Sequence, residues 1–310
     1  MSPESKIVVL TGGVGGAKLV LGLQQILPPE RITAIVNTGD DFRHLGLAIS
    51  PDLDTLLYTL SGKSNQTLGW GREGESWAFM DALRTLGGED WFQLGDGDLA
   101  LHVLRSMRLA KGDPLSAIMA DFCASWGVGI RMLPMSDDPV ATHLTTDEGD
   151  LPFQRYFVER RCTPVVSAIR FEGAVEAQPA PGVIAAIEGA DTVLIAPSNP
   201  YLSVDPILAL PAIRAALAQT KAPVVAVSPI VGGTAVKGPT AKLMGELGVE
   251  VTNAVIAAHY EGVLDGLLLD TRDGGAGLAI AHAETDTLMH SPEDKARVAR
   301  AALELTARIR

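Results

Sequence analysis

Short, wholly apolar runs alternate along this chain with stretches whose apolar positions recur every three or four residues. Runs rich in β-branched side chains fall at 6–10, 33–37, 192–197 and 223–229, with shorter ones near 130–135, 155–160 and 266–270. Their length and lack of polar alternation suit strands buried on both faces of a parallel sheet. Helical spacing predicts helices over 16–27, 52–61, 75–86, 98–110, 114–125, 205–218, 239–247 and 292–309. The alternation specifies an α/β fold: a Rossmann-like, mostly parallel sheet with helices on both faces and right-handed crossovers. Residues 62–125 interrupt it, because helices follow one another there with no convincing strand. That stretch reads as a helical insertion or lid on a core of about 1–61 and 126–310, with 1–310 forming a single domain.

Composition narrows the picture. A chain of 310 residues can bury a large core. With 47% apolar but only 5% aromatic residues, helices on a parallel sheet fit better than a β-sandwich. Cys123 and Cys162 lack metal-ligand spacing and read as buried thiols in a reducing cytoplasm. The start carries no basic, apolar leader, and no apolar run reaches about 18 residues, so a cytoplasmic protein with no membrane contact is expected. A net charge of −12 argues against a nucleic-acid partner. It also implies that any anionic ligand needs a local cation, for which Mg²⁺ held by acidic loops is the natural choice.

The first strand runs directly into Thr11-Gly-Gly-Val-Gly-Gly-Ala-Lys18, which opens a helix. Strand, glycine-rich turn and helix together present backbone N–H groups to a phosphate. The spacing of Gly12, Gly13, Gly15 and Gly16 matches neither the dinucleotide fingerprint nor a Walker A loop. A tight turn that packs the helix on the sheet is the plainer alternative.

Acidic loops follow. Asn37-Thr-Gly-Asp-Asp-Phe42 ends the second strand, and Ser50-Pro-Asp-Leu-Asp-Thr55 opens a helix with Pro51 at its first position. Asp40, Asp41, Asp52 and Asp54 exceed what capping needs and suggest a hard-cation site. Asp96 and Asp98 start another helix, with His102 one turn on, where capping and ligand contact are equally good explanations. Ser198 and Asn199 lie in a proline-pinned loop after an apolar strand, as hydrogen-bonding groups or as an Asx turn. Lys237 and Lys242 are the best local cations for phosphate after Ser228-Pro-Ile-Val-Gly-Gly233. His44, His102, His143, His259, His282 and His290 are scattered and read as structural. No nucleophile elbow or Cys–His signature appears.

Taken in order, eight segments resemble the 2-phospho-L-lactate transferase family (CofD/FbiA) of coenzyme F420 biosynthesis. They are Thr-Gly-Gly-x-Gly-Gly-x-Lys at 11–18, Asn-Thr-x-Asp-Asp at 37–41, Ser-Pro-Asp-Leu-Asp-Thr at 50–55 and Leu-Gly-Asp-x-Asp-Leu-Ala at 94–100. Met-Ser-Asp-Asp-Pro at 135–139, Pro-Ser-Asn-Pro at 197–200, Ser-Pro-Ile-x-Gly at 228–232 and Asp-Thr-Leu-Met at 286–289 complete the set. The likeness covers nearly the whole chain. It implies transfer of a phospholactyl-type group (2-phospholactate, phosphoenolpyruvate or phosphoglycerate) from a guanosine diphosphate-linked three-carbon acid. The acceptor is the terminal ribityl hydroxyl of the deazaflavin Fo, GMP leaves, Mg²⁺ is required, and the enzyme is a homodimer. Such a reaction needs positioning and charge stabilisation rather than a covalent intermediate.

Carried over residue by residue, the resemblance makes Asp54 catalytic, touching the hydroxyl or holding metal beside it, with Asp40 and Asp41 as further metal ligands. It assigns Thr11, Gly12, Gly13, Gly15, Gly16, Lys18, Ser198 and Asn199 to phosphate and nucleotide, and Gln93, Asp96 and Asp98, with Asp54, to Fo. Gln93 and Gly97 depart from the family, which often carries basic residues there; Arg105 or Arg72 would have to substitute. Two rival readings are a non-catalytic nucleotide-sugar-binding regulator of the same superfamily and a nicotinamide-dependent dehydrogenase. The latter lacks its fingerprint.

Overall fold

Seven strands make one parallel sheet: β1 (Ile7–Thr11), β2 (Ile32–Val36), β3 (Arg131–Pro134), β4 (Thr192–Ile195), β5 (Val224–Val227), β6 (Gly266–Asp270) and β7 (Ala281–Thr285). Their spatial order is β7-β6-β5-β4-β1-β2-β3, with every neighbouring pair parallel. The order therefore reverses between β1 and β4, and a crevice forms outside the carboxyl ends of strands at such a reversal. The computed structural model describes residues 4–235, 238–275 and 277–309.

Successive residues of β1 point into different cores. Val8 and Leu10 join the cluster with Ile187, Ile207, Ile213 and Leu243. Ile7 and Val9 join the one with Leu19, Leu53, Ile118 and Val298. Helices thus cover both faces of the sheet, as the apolar strands require. The second cluster is built from α1 (Gly13–Ile26), α2 (Pro51–Leu60), α5 (Leu115–Ser125) and the helix Pro292–Ile309.

Two further helices, α3 (Ala78–Thr85) and α4 (Asp98–Ala110), follow an irregular segment after α2 that carries an isolated bridge between Ser64 and Arg72. Helix α5 packs Ile118, Met119 and Phe122 into the sheet core beside Ile130 and Met132. It therefore serves as the crossover leading into β3. The small cluster of Ile49, Met80 and Leu94 holds α3 against the hairpin Phe42–His44/Leu47–Ile49.

One strand expectation needs correction, and several strands were not expected. The run at 155–160 is a π-helical turn, Arg155–Glu159, with only Tyr156 buried. Ahead of it and after it lies an antiparallel sheet of Ala141–Thr146, Gly149–Pro152 and Val166–Glu172, whose exposed edge strands lack the apolar runs that mark the others. Edge strand β7 is missed for the same reason, being mostly exposed. The helix expected over 205–218 is two, Asp205–Leu208 and Pro211–Gln219, because Pro211 starts a new one. Of the two free thiols, Cys123 is buried and Cys162 only half-buried. Among the described residues no single helix is long and apolar enough to cross a membrane.

Candidate active site

A cavity of about 780 Å³ runs along the carboxyl ends of the strands, within the size range of small-molecule sites. It is lined by Gly12–Gly15 after β1, Asp40 after β2, Pro197–Asn199 after β4, Ser228 and Pro229 after β5, and Thr287–His290 after β7. Asp52, Asp54 and Tyr58 enter it from α2, and Asp98 and His102 from α4. Its mouth is aromatic: Trp70, half exposed, with Phe92, Phe153 and Phe157. The Phe153 and Phe157 rings are stacked, with centroids 5.2 Å apart.

The glycines serve both readings of their loop. Gly13 is already the first residue of α1 and holds a left-handed φ of 62°, which only glycine adopts without strain. Its N–H donates to Asp52 Oδ1 at 2.7 Å, so this amide is taken by the protein. Gly15 and Gly16 are small for packing: a Cβ on Gly15 would lie 2.6 Å from the Pro197 carbonyl oxygen, and one on Gly16 would collide with Thr11 Oγ1. Thr11 and Gly16 lie outside the lining, and Thr11 Oγ1 is buried with no hydrogen-bond partner. Lys18 lies on the cavity wall.

Four carboxylates gather where α2 meets the loop after β2. Asn37 Nδ2 donates to Asp40 Oδ1 at 2.5 Å and to Asp52 Oδ2 at 3.0 Å, tying the two acids together. Burial pushes Asp40 well above the usual carboxylate range, and the Asp52 charge adds to it. Asp52 rises to about 6 by burial, held back by the bonds from Asn37 and Gly13. Asp41 is also raised well above its ordinary value by burial, although Ser50 Oγ donates to its Oδ2 at 2.7 Å. Its other oxygen, Oδ1, is shut off from solvent with no partner.

Asp54 has a different environment. It takes a two-pronged bond from Arg105, whose NH1 lies 3.1 Å from Oδ2 and whose NH2 bonds Oδ1. Arg105 is among the largest fully buried side chains of the described residues; burial would lower its pKa, but Asp54 and Asp41 outweigh that and raise it. Arg105 NH1 also reaches His102 Nδ1 at 3.4 Å, and His102 Nε2 lies 3.0 Å from Asp98 Oδ2. Tyr58 donates to Asp98 Oδ1. Burial would raise Asp98, but His102 and Tyr58 outweigh it and hold the carboxyl below its ordinary value. Burial, with Asp54 and Asp98 nearby, pushes the Tyr58 hydroxyl far up. His102, expected to be structural, thus belongs to the site wall.

Several expected site residues have structural duties. Asp96 lies outside the lining and accepts bonds from Ser76 Oγ and from the N–H groups of Ala78 and Phe79, at the start of α3. Asp137 holds Ser116 in the first turn of α5. Gln93 lines the cavity while bonded to Arg84 and the Asp90 carbonyl. Ser198 Oγ donates to the Gly12 carbonyl at 2.7 Å, and Asn199 Oδ1 accepts from Tyr201 and Leu202 while its Nδ2 is buried and unpaired. Lys242 is engaged by Glu246 and the Pro164 carbonyl, away from the lining; Lys237 lies outside the described residues. The space left by Gly97 is filled by the Arg72 guanidinium, which pairs with Glu75 at 3.0 Å. The alternative cations thus divide: Arg72 stands in beside Gly97, and Arg105 serves Asp54.

Among the described residues no group of three His, Cys, Asp or Glu side chains stands in metal-binding array. The donor chemistry nevertheless fits a hard divalent cation. The buried Arg105 guanidinium offsets charge only at Asp54, which it bonds, and at nearby Asp41. Asp40 and Asp52 have no cationic partner among the described residues, and their raised titration reflects a buried acidic pair that a cation would relieve.

The family model for 2-phospho-L-lactate transferase CofD matches residues 7–304. Proteins called phosphoenolpyruvate transferase are similar over nearly their full length. That of Streptomyces griseus is 45% identical, covering 98% of this chain and 99% of the relative. That of Mycolicibacterium smegmatis is 40% identical, covering 97% of this chain and 98% of the relative. Among solved structures, a UPF0052-family protein from Bacillus halodurans superposes with a TM-score of 0.64 at 18% identity, covering 96% of this chain and 99% of that one. That likeness speaks for the fold; the family match and the full-length relatives go further, and the chain belongs to the 2-phospho-L-lactate transferase (CofD) family.

Proposed function

We propose that this transferase moves a phosphoenolpyruvyl-type group from a guanosine diphosphate-linked three-carbon acid to the terminal ribityl hydroxyl of Fo, releasing GMP. The choice of enolpyruvyl over lactyl or glyceryl rests on the names of its relatives. The observation that carries the reading is one cavity with an acidic floor at Asp40, Asp52 and Asp54, a helix start at Val14 and Gly15, and an aromatic mouth at Trp70 and Phe157. A diphosphate, a cation and a flat heteroaromatic acceptor each find suitable chemistry there.

Asp40 and Asp52, joined through Asn37, are the carboxylates that would hold Mg²⁺, with Asp41 and Asp54 on either side. A bound magnesium ion would offset charge gathering on the donor diphosphate. The N–H groups in the first turn of α1 have no intrahelical acceptor and suit phosphate oxygens, apart from that of Gly13, which Asp52 occupies. Lys18 adds charge on the same wall. The aromatic mouth stacks the deazaflavin and leaves its ribityl chain directed inward. Asp54 accepts the hydrogen bond of the attacking hydroxyl and orients its lone pair at phosphorus. The new P–O bond forms as the bond to GMP breaks, and the hydroxyl proton leaves through Asp54.

Mass spectrometry tests this. The protein is mixed with Fo, Mg²⁺ and, in turn, the lactyl, enolpyruvyl and glyceryl guanosine diphosphate donors. The enolpyruvyl donor is expected to give the phosphoenolpyruvyl adduct of Fo and free GMP, with EDTA stopping the reaction and Mg²⁺ restoring it. Absence of product from all three donors, together with calorimetric binding of a uridine diphosphate sugar, would transfer the chain to the regulator reading. Turnover in metal-stripped buffer would remove the cation.

A further inference from the structure

We infer that Arg105 is a positioning residue that fixes the Asp54 carboxylate for reaction, so that helix α4, which also brings Asp98 and His102 to the cavity, contributes to the active site. The inference rests on the reading of Asp54 given above.

The geometry is a run of close contacts between α2 and α4, hydrogen-bonded except where His102 Nε2 approaches Asp98 at ion-pair distance. Asp54 and Tyr58 stand one turn apart on α2; Asp98, His102 and Arg105 follow at one-turn spacing on α4. Tyr58 bonds Asp98, Asp98 meets His102 at 3.0 Å, His102 meets Arg105 at 3.4 Å, and Arg105 closes on Asp54. Asp54, Tyr58, Asp98 and His102 line the cavity, while Arg105 stands behind them with no exposed surface. Arg105 therefore acts on a substrate only through the lining side chains it touches, Asp54 by a two-pronged bond and His102 by one longer contact.

Both carboxylate oxygens of Asp54 are held by one planar fork, which fixes rotation as well as position. The fork is in turn pinned by the Ala48 carbonyl at 3.3 Å, so the hairpin, α2 and α4 must all be docked for Asp54 to be set. Fold stability gives a poor reason for this device, because a buried ion pair seldom outperforms an apolar substitute. Arg105 Nε is buried without an acceptor, a further cost that an apolar side chain would not carry. Asp40 and Asp52, by contrast, are held by neutral donors, the Asn37 amide for both and the Gly13 N–H for Asp52, with no charged fork on either.

The test is Arg105→Lys, which keeps the charge but cannot make the planar two-pronged contact. Calorimetry with GDP and Mg²⁺ counts folded sites, so that kcat is expressed per site. At least a tenfold fall in kcat is expected, with KM for Fo and for the guanylylated donor within threefold of wild type. A kcat within threefold of wild type overturns the inference, as does a tenfold rise in either KM at unchanged kcat, which would make Arg105 a binding residue. If Arg105→Lys yields no GDP-binding sites, Arg105→Gln takes its place. Failure of both to fold assigns Arg105 to stability alone and also overturns the inference. Wild-type protein that turns over no donor would sink the transferase reading instead, a separate result.

Discussion

Replacing Asp52 by Asn should stabilise the metal-free protein while removing its activity. In the folded chain Asp52 titrates near 6, against an ordinary 3.8, because burial penalises its charge. The folded state thus holds this proton more tightly than the unfolded state, and its contribution is complete below pH 3.8 and lost as pH rises through 6. That interval is worth about 3 kcal/mol at about 1.4 kcal/mol per pH unit. Asn keeps the acceptor for the Gly13 N–H but loses one for Asn37, which returns about 1 kcal/mol. A net gain of about 2 kcal/mol at neutral pH corresponds to roughly 3 °C in Tm for a chain of this size. Scanning calorimetry in EDTA, repeated from about pH 4.5 to about pH 7.5, should show the advantage of the variant growing with pH. Saturating Mg²⁺ should close the gap or reverse it slightly, because only the wild type would gain about 2.7 kcal/mol at a hundred times Kd. A variant less stable than wild type at neutral pH, or an advantage independent of pH, would refute the reasoning.

Asp54→Asn should abolish transfer, and it should also lower stability by about 3–5 kcal/mol, because Arg105 is left buried with a neutral partner; an unchanged melting temperature would show that the pair carries little. Trp70→Ala should raise KM for Fo by about threefold to tenfold, the range for a lost aromatic stack, and spare KM for the guanylylated donor. Equal effects on both substrates would move the deazaflavin away from the mouth. Gly15→Ala sets a methyl group 2.6 Å from the Pro197 oxygen and should cost about 1–3 kcal/mol in urea denaturation, unless α1 shifts freely from the loop after β4.

The sheet was legible because burial on both faces leaves uninterrupted apolar runs, as at Ile7–Leu10 and Thr192–Ile195. Strands with one wet face escaped notice: Val166–Glu172 buries only Val166, and β7 buries none of its residues. The acid-rich loops were readable as a set, yet spacing along the chain does not separate capping from ligation. Asp96 and Asp98 are two residues apart; one caps α3 and the other faces the cavity. Their fates are decided by partners at Ser76 and Tyr58, far away in sequence.

Arg105 shows why the remainder was hidden. The sequence marks it only as a substitute cation, and nothing local identifies it as the partner of a carboxylate 51 residues earlier. Only the docking of α4 on α2 joins them. The two acids that do look alike in sequence, Asp52 and Asp54, consequently differ in kind: one is a buried carboxyl held by neutral donors and titrating at about 6, the other a carboxylate clamped by a guanidinium. The function proposed above, a cation held and a hydroxyl aimed, would use both kinds in one site. The two-residue spacing Asp52-Leu53-Asp54, with Leu53 in the core, sets them about 200° apart around α2. Asp52 thereby reaches Asn37 and the start of α1, while Asp54 reaches Arg105 on α4.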